Sequence, residues 1–219
     1  MSDQKTVVYF GSREIYPGFE PAIRSLIEHT DVDKIYVIID DDKLPFDLPV
    51  EYVKFPEIFN GTNTWTHWKK YGCLRPALSK ILLCDTVLSL DVDTIVEQDI
   101  GELFGIDLGN NFFAAVREPN LSGAKPYFNT GVCLLNLKLW RETGKDDEMI
   151  DALNSRAFRY VSQDCMNELC DRVLELPSSY NSCQFTAPTD LVKIRHYACT
   201  VDWQNRPEIA KYRQKSERT

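Results

Sequence analysis

The chain has 219 residues and a mass of 25.3 kDa, enough for one full hydrophobic core, with 43% hydrophobic and 26% charged residues. That composition excludes wholesale disorder, and no run approaches the ~18 apolar residues of a membrane-spanning helix. A net charge of −8 argues against a general grip on a phosphate backbone, so no nucleic-acid partner is expected. The imbalance is uneven. Residues 206–219 carry five Lys/Arg against two Asp/Glu, leaving this tail at +3 and the remainder at −11. The tail reads either as a contact for an anionic surface or, the plainer reading, as an exposed, frayed terminal helix, and the domain as residues 1–205. MSDQKTVVYF lacks the apolar core and cleavage site of a secretory leader, which predicts a soluble, cytoplasmic protein. Seven cysteines, an odd number without a Cys-x-x-Cys, read as reduced core thiols.

Apolar runs then alternate with amphipathic stretches. Residues 6–10 (TVVYF) are β-branched and aromatic and stop at Gly11-Ser12, the pattern of a buried strand. Phe19, Ala22, Ile23, Leu26 and Ile27 share one helical face, with Pro21 tolerable in a first turn. Residues 34–39 (KIYVII) predict a second strand, closed by Asp40 to Asp42, and residues 50–55 a third. Helical periodicity returns over 68–83, interrupted near Pro76. Strands follow at 86–90 (TVLSL), 112–116 and 131–137, then helices near 146–154 and 162–171, then short strands at 173–176 and 191–194. This order predicts an α/β domain with a central, mostly parallel sheet flanked by helices. Ligands of such sheets sit beyond the carboxyl ends of the strands, which points to Gly11-Ser12 and Asp91-Val92-Asp93 together.

LSLDVDTIV carries the most chemistry. Two carboxylates emerge at i and i+2 where a buried strand ends, and acids in that position are costly to bury unless something pairs with them. One divalent ion that also holds phosphate oxygens needs only one or two carboxylates, which suits Mg²⁺ or Mn²⁺ bridging to a diphosphate. The same string partly fits haloacid-dehalogenase-type phosphohydrolases, whose first Asp is a nucleophile, although their motif lies on the first strand.

LSLDVDTIV, YFNTGVCLLNLKLWR, SQDCMNEL and IRHYACTVDW, in this order, resemble the motifs of glycosyltransferase family 8. Its members are retaining, nucleotide-sugar-dependent enzymes that include glycogenin and lipopolysaccharide galactosyl- and glucosyltransferases. The likeness runs from Val7 to Trp203. It implies a GT-A fold, a single Rossmann-like nucleotide-binding domain with the Asp-x-Asp at its centre, and transfer of a hexose from a UDP-sugar. Asp91 and Asp93 match the family's metal-binding acids, and His196 its distal metal-ligand histidine. An imidazole beside two carboxylates suits Mn²⁺ better than Mg²⁺.

The resemblance also assigns the donor pocket. FGSREIYPGF matches the segment that holds the uridine, with Tyr16 as the stacking ring and Phe10, Gly11 and Ser12 passing close to the nucleotide. Arg75 precedes the metal strand where the family contacts the donor, and Val92 lies between the two acids. YFNTGV matches Phe-Asn-Ala-Gly-Val, so Asn129, Thr130 and Gly131 line the donor-sugar site. SQDCMN matches Asp-Gln-Asp-x-Leu-Asn, which puts Gln163 near the reacting anomeric carbon and Asp164 beside it. Ser162 stands where many members have an Asp, and by its residue type it is a helix N-cap.

The departures are concentrated at the nucleotide. Arg13 and Ile15 replace acid and amide residues near the base, Cys199 replaces a Gly, and Asp202 stands where a Lys clamps the diphosphate. Arg206 or Lys211 could supply the missing charge. A non-catalytic nucleotide-sugar binder therefore stays open beside the phosphohydrolase. Trp65, His67, Trp68 and Tyr71 form an aromatic cluster that reads either as an acceptor platform or as buried packing. The acceptor itself is not legible.

Overall fold

The computed structural model describes residues 4–65, 69–123 and 125–213. The first strand, β1 (Thr6–Phe10), leads into α1 (Tyr16–His29), β2 (Lys34–Ile38) and a short β3 (Glu51–Tyr52). After α2 (Leu78–Ile81) come β4 (Thr86–Leu90), β5 (Thr94–Val96), β6 (Phe113–Arg117) and β7 (Phe128–Asn136). The chain continues through α3 (Leu137–Thr143), α4 (Lys145–Ser155), α5 (Ser162–Leu169), β8 (Val173–Leu176) and β9 (Ile194–His196). Seven strands form one sheet in the order β3-β2-β1-β4-β7-β6-β8. Every pairing in it is parallel except the two made by β7. The mostly parallel sheet is as expected from the order of elements.

Both faces of this sheet are covered, which is why its strands are apolar without alternation. Val7 and Tyr9 of β1 pack with Phe19, Ala22, Ile23 and Leu26 of α1. Val8 and Phe10 face the other way, toward Leu74, Leu78, Trp140, Met149 and Met166. Burying each such side chain stabilises the fold by roughly 1.5–3 kcal/mol. A third, smaller cluster joins Ile95, Tyr197, Trp203, Ile209 and Tyr212.

Several elements differ from expectation. Ile27 is 39% exposed, so the buried face of α1 ends at Leu26. Pro21 lies in the second turn of α1, because Pro17 takes the start of the helix. The third strand shrinks from 50–55 to two exposed edge residues. Within 69–81 the chain forms 3₁₀ turns, Lys69–Cys73 and Arg75–Ala77, before α2; Gly72 and Pro76 interrupt a continuous helix. Pro207–Tyr212 is a 3₁₀ segment with Ile209 and Tyr212 buried, so this stretch is packed rather than frayed. All seven cysteines are unpaired; Cys73, Cys133, Cys165 and Cys170 are buried, whereas Cys199 is exposed.

Candidate metal and donor site

The site is assembled at the carboxyl end of β4, in the middle of the sheet. There the β4–β7 ladder runs one step past Leu90, with the Asp91 N–H donating to the Gly131 carbonyl at 2.7 Å. The chain then turns, the Thr94 hydroxyl donating to the Asp91 carbonyl at 2.7 Å, and re-enters as β5. The antiparallel pairing of β5 with β9 sets Thr94 opposite His196. A histidine about a hundred residues away is thereby delivered beside the two acids. Its Nε2 lies 3.3 Å from Asp93 Oδ1 and 3.8 Å from Asp91 Oδ2. One ligand atom from each of the three lies within 4.8 Å of the others.

Gly131 makes room for this. A Cβ built there would stand 2.1 Å from His196 Cε1 and 2.7 Å from Nδ1. The space that a side chain at position 131 would need is thus filled by the histidine ring. Thr130, Gly131 and Val132 lie in a bulge, because the β6 partners jump from Cys133 opposite Ala115 to Asn129 opposite Val116. Side chains satisfy the backbone groups the bulge frees. Gln163 Oε1 accepts from Thr130 N at 3.0 Å and from its hydroxyl at 3.3 Å, and Asn129 Oδ1 accepts from Gly131 N at 2.9 Å.

Glu118, at the end of β6, ties these residues together. It is 4% exposed, and its Oε1 accepts from Asn129 Nδ2 at 2.6 Å and from Gln163 Nε2 at 3.3 Å. Sequence reading missed Glu118, although an acid closing the apolar run FFAAVR is the same signal that marked Asp91. Tyr127 and Asn181 were missed too. The Tyr127 hydroxyl donates to Asp164 Oδ1 at 2.5 Å and accepts from Gln163 Nε2 at 3.2 Å. With Tyr160 N on its other oxygen at 2.8 Å, Asp164 has both oxygens engaged.

Arg75 crosses under the site, 6% exposed, pairing with Asp91 and stacking over the Phe10 ring with its guanidinium carbon 5.2 Å from the centroid. Its Nη1 donates to Ser162 Oγ at 3.5 Å, while its buried Nε–H has no acceptor. Ser162 is the first residue of α5 rather than its N-cap. That place falls to Val161, held at φ 43° and ψ −114°, a strained conformation for a β-branched residue. The structure thus brings Asp91, Asp93, His196, Gly131, Thr130, Asn129, Gln163, Arg75 and Ser162 into one connected group.

The residues implied for the uridine are less open. Tyr16 is 6% exposed, edge-on to Phe19 at 6.0 Å, and its hydroxyl accepts from Asp41 N at 3.0 Å. Packing of α1 onto the sheet leaves little of this ring exposed. A Cβ at Gly11 would meet the Ile15 side chain at 2.3 Å, and Ser12 turns the chain into α1. Val92 packs against Gly18, where a Cβ would lie 2.8 Å from Val92 Cγ1 and 2.7 Å from Trp203. Tyr71 is buried, and its hydroxyl donates to Asp40 Oδ1 at 3.0 Å. That is packing rather than an acceptor platform. The side chains of Trp65, His67 and Trp68 lie outside the described residues.

Two carboxylates and a buried imidazole converging on one point suit a divalent ion. Burial opposes a charge on His196, but Asp93, with Cys183 and Asp91, outweighs it and holds the imidazole pKa well above its ordinary value. Asp93 is raised by burial and lowered further by His196, ending below the usual carboxylate range. The raised histidine contributes stability that is complete below about pH 6.5 and is lost as pH rises through its folded value. The depressed Asp93 contributes stability that is lost as pH falls through its own. Without metal, melting temperature should therefore fall at alkaline pH. A metal ligand must be a neutral imidazole, so Mn²⁺ binding should release a proton and tighten as pH rises. Calorimetric isotherms from about pH 6 to about pH 9 check this; a flat affinity would contradict it.

Comparisons with known proteins identify the family and the fold. The sequence profile described as Glycosyl transferase family 8 matches residues 59–190, more than half of the chain. Glycosyltransferase GlyE of Streptococcus pneumoniae is 29% identical over 168 residues, covering 68% of this chain and 39% of GlyE. The lipopolysaccharide 1,2-glucosyltransferase of Escherichia coli is 31% identical over 118 residues, 46% of this chain and 34% of that protein. The chain thus spans only about two fifths of GlyE's length. The crystal structure of GlyE superposes with a TM-score of 0.71 at 25% identity, covering 90% of this chain and 55% of that one. The galactosyltransferase LgtC, solved with donor and acceptor sugar analogues, gives a TM-score of 0.73 at 19% identity and 96% coverage of both chains. The fold is the GT-A arrangement these enzymes share, and the chain belongs to glycosyl transferase family 8.

Proposed function

We propose that this domain transfers a hexose, glucose or galactose, from a UDP-sugar to an acceptor, with Mn²⁺ as cofactor and retention at the anomeric carbon. The observation that carries this is the convergence of Asp91, Asp93 and His196 at the carboxyl end of the central strand. These three would hold the ion, which when bound neutralises charge developing on the departing diphosphate. Arg75, whose guanidinium pairs with Asp91 beside this cluster, would donate to the donor's oxygens. Thr130 and Gly131, freed from pairing with β6 by the bulge, would line the sugar site.

Retention by two displacements needs a carboxylate nucleophile beneath the sugar. The acids adjoining Gln163 do not offer one readily: Asp164 has both oxygens hydrogen-bonded, and Glu118 accepts from two amides. Front-face attack fits better. The bond from the anomeric carbon to phosphate breaks, the acceptor oxygen bonds on the same face, and the acceptor's proton passes to the departing phosphate. Gln163, fixed by Thr130, Glu118 and Tyr127, stabilises the oxocarbenium-like centre electrostatically. Incubation with UDP-glucose and UDP-galactose plus Mn²⁺ tests the reading. Release of UDP supports it, release of inorganic phosphate without a sugar donor selects a phosphohydrolase, and binding without turnover selects a non-catalytic binder.

Arg206 is the better candidate for the missing diphosphate cation. It lines, with His196, Gln184 and Thr200, a cavity of about 310 Å³ that Lys211 does not line, although the Arg206 guanidinium also lies over the Tyr197 ring at 5.4 Å and 3.7 Å from Glu208. A charge-assisted contact is worth roughly 1.5–3 kcal/mol, so Arg206→Ala should weaken UDP binding by about ten-fold or more. Lys211→Ala should leave it unchanged. Equal UDP affinity in wild type and Arg206→Ala would remove Arg206 from the account.

A further inference from the structure

His196 reaches the acids through Nε2, but its other nitrogen is not left to solvent. Nδ1 lies 2.9 Å from Asn181 Oδ1, and Asn181 is fully buried. Asn181 Nδ2 donates in turn to Asn129 Oδ1 at 2.7 Å, and Asn129 Nδ2 donates to Glu118 Oε1 at 2.6 Å. The four residues are each at most 6% exposed, so water cannot readily replace these partners. Glu118, Asn129, Asn181 and His196 thus form a single file of hydrogen bonds ending at the metal-binding acids.

The sense of this file is not free. An ionised carboxylate only accepts, so Glu118 requires the amino group of Asn129 to face it. The Gly131 N–H only donates, and it requires the carbonyl oxygen of Asn129 on the other side, at 2.9 Å. Two one-way groups therefore pin Asn129. Its oxygen then requires the amino group of Asn181, which leaves the Asn181 oxygen facing His196. An oxygen facing Nδ1 needs a proton there, so in the neutral imidazole the lone pair is on Nε2. That nitrogen is the one beside Asp93 and Asp91.

We infer that Asn181 is the positioning residue that keeps His196 in the tautomer able to bind a divalent ion through Nε2, and that Glu118 sets the sense of the relay from three residues away. This rests on the metal-centre reading above. Partners of this kind hold a ligand's orientation and basicity, and their loss typically costs about 10–100-fold in metal affinity. The same carboxylate fixes Gln163 through its Nε2, so one buried acid orients both the metal ligand and the amide beside the sugar site.

The test measures Mn²⁺ affinity directly, by electron paramagnetic resonance of the free ion. Wild type, Asp93→Asn, Asn181→Ala, Asn181→Leu and Asn181→Asp are compared, each checked by thermal melting. Asn181→Ala and Asn181→Leu are expected to lose about 10–100-fold, whereas Asn181→Asp, which still accepts from Nδ1–H, recovers most of it. A relay also predicts that Glu118→Ala added to Asn181→Ala weakens Mn²⁺ no further. Unchanged affinity in Asn181→Ala, or additive losses in the double variant, overturns the relay while leaving the metal centre standing. Wild type that binds no Mn²⁺, or binds it as well as Asp93→Asn does, overturns both. The imidazole ¹⁵N spectrum of Zn²⁺-loaded wild type needs no variant, and the chain has only three histidines. A proton on Nδ1 with Nε2 bound agrees with the relay; the reverse refutes it.

Discussion

Asp93→Asn is expected to lower hexosyl transfer at saturating UDP-sugar by at least ~100-fold, more than the loss typical of residues that only support a metal ligand. The substitution keeps the side chain's size and removes its charge. It therefore removes one of the three proposed metal ligands, and it also removes the main influence that holds the His196 pKa up against burial. The imidazole of the variant should be neutral at a pH where that of the wild type is protonated. Proton release on adding metal should disappear along with the activity. The fold should survive, because Asp93 lies in the turn beyond β4 and its backbone carbonyl still accepts from Tyr197 N at 2.9 Å. Coupled assay of UDP release, with a melting curve, checks both parts. Full activity in Asp93→Asn would mean that the three-residue cluster is not the metal centre.

Gly131→Ala should be nearly as damaging while adding only one methyl group. The new carbon would lie 2.1, 2.7 and 2.9 Å from three atoms of the His196 ring. The ring is 6% exposed and hydrogen-bonded behind to Asn181, so it has nowhere nearby to go. Overpacking of this kind costs about 1–3 kcal/mol, and relief by swinging the imidazole aside would take Nε2 away from the acids. Mn²⁺ affinity should fall by at least about 10-fold even where the protein stays folded. Melting temperature and Mn²⁺ titration measure the two effects separately. Gly11→Ala is the contrast, because its nearest neighbour is the end of a flexible, 44% exposed Ile15 side chain.

Elements set by long apolar runs were legible in the sequence. TVVYF and TVLSL became β1 and β4 at the expected bounds, since strands buried on both faces need unbroken hydrophobicity. The segment after β7 was harder. Residues 131–137 read as one strand, yet α3 begins at Leu137, capped by the Asn136 side chain on Leu139 N and closed by Gly144 at φ 68°. Both capping signals were present but short, and the apolar run masked them. β5 is three residues long and exists because β9 pairs with it, a long-range contact that no local pattern encodes.

The site divides in the same way. Asp91 and Asp93 announce themselves as acids ending a buried strand, and the family motifs supply His196, Gln163 and Gly131. Asn181 lies in the unremarkable string SSYNS and becomes informative only when β9 brings His196 to it. Tyr16 shows the converse: its motif marks it as a stacking ring, yet only the structure reveals that it is nearly buried and edge-on to Phe19. Residue type located the chemistry, whereas the side chains that orient it are visible only in three dimensions.

The most direct test of the central claim is calorimetric titration of UDP, with and without Mn²⁺, into wild type and Asp93→Asn. The account predicts micromolar binding by wild type that requires Mn²⁺ and is absent from the variant. UDP binding that is indifferent to Mn²⁺ and to Asp93, or no UDP binding under either condition, would contradict it.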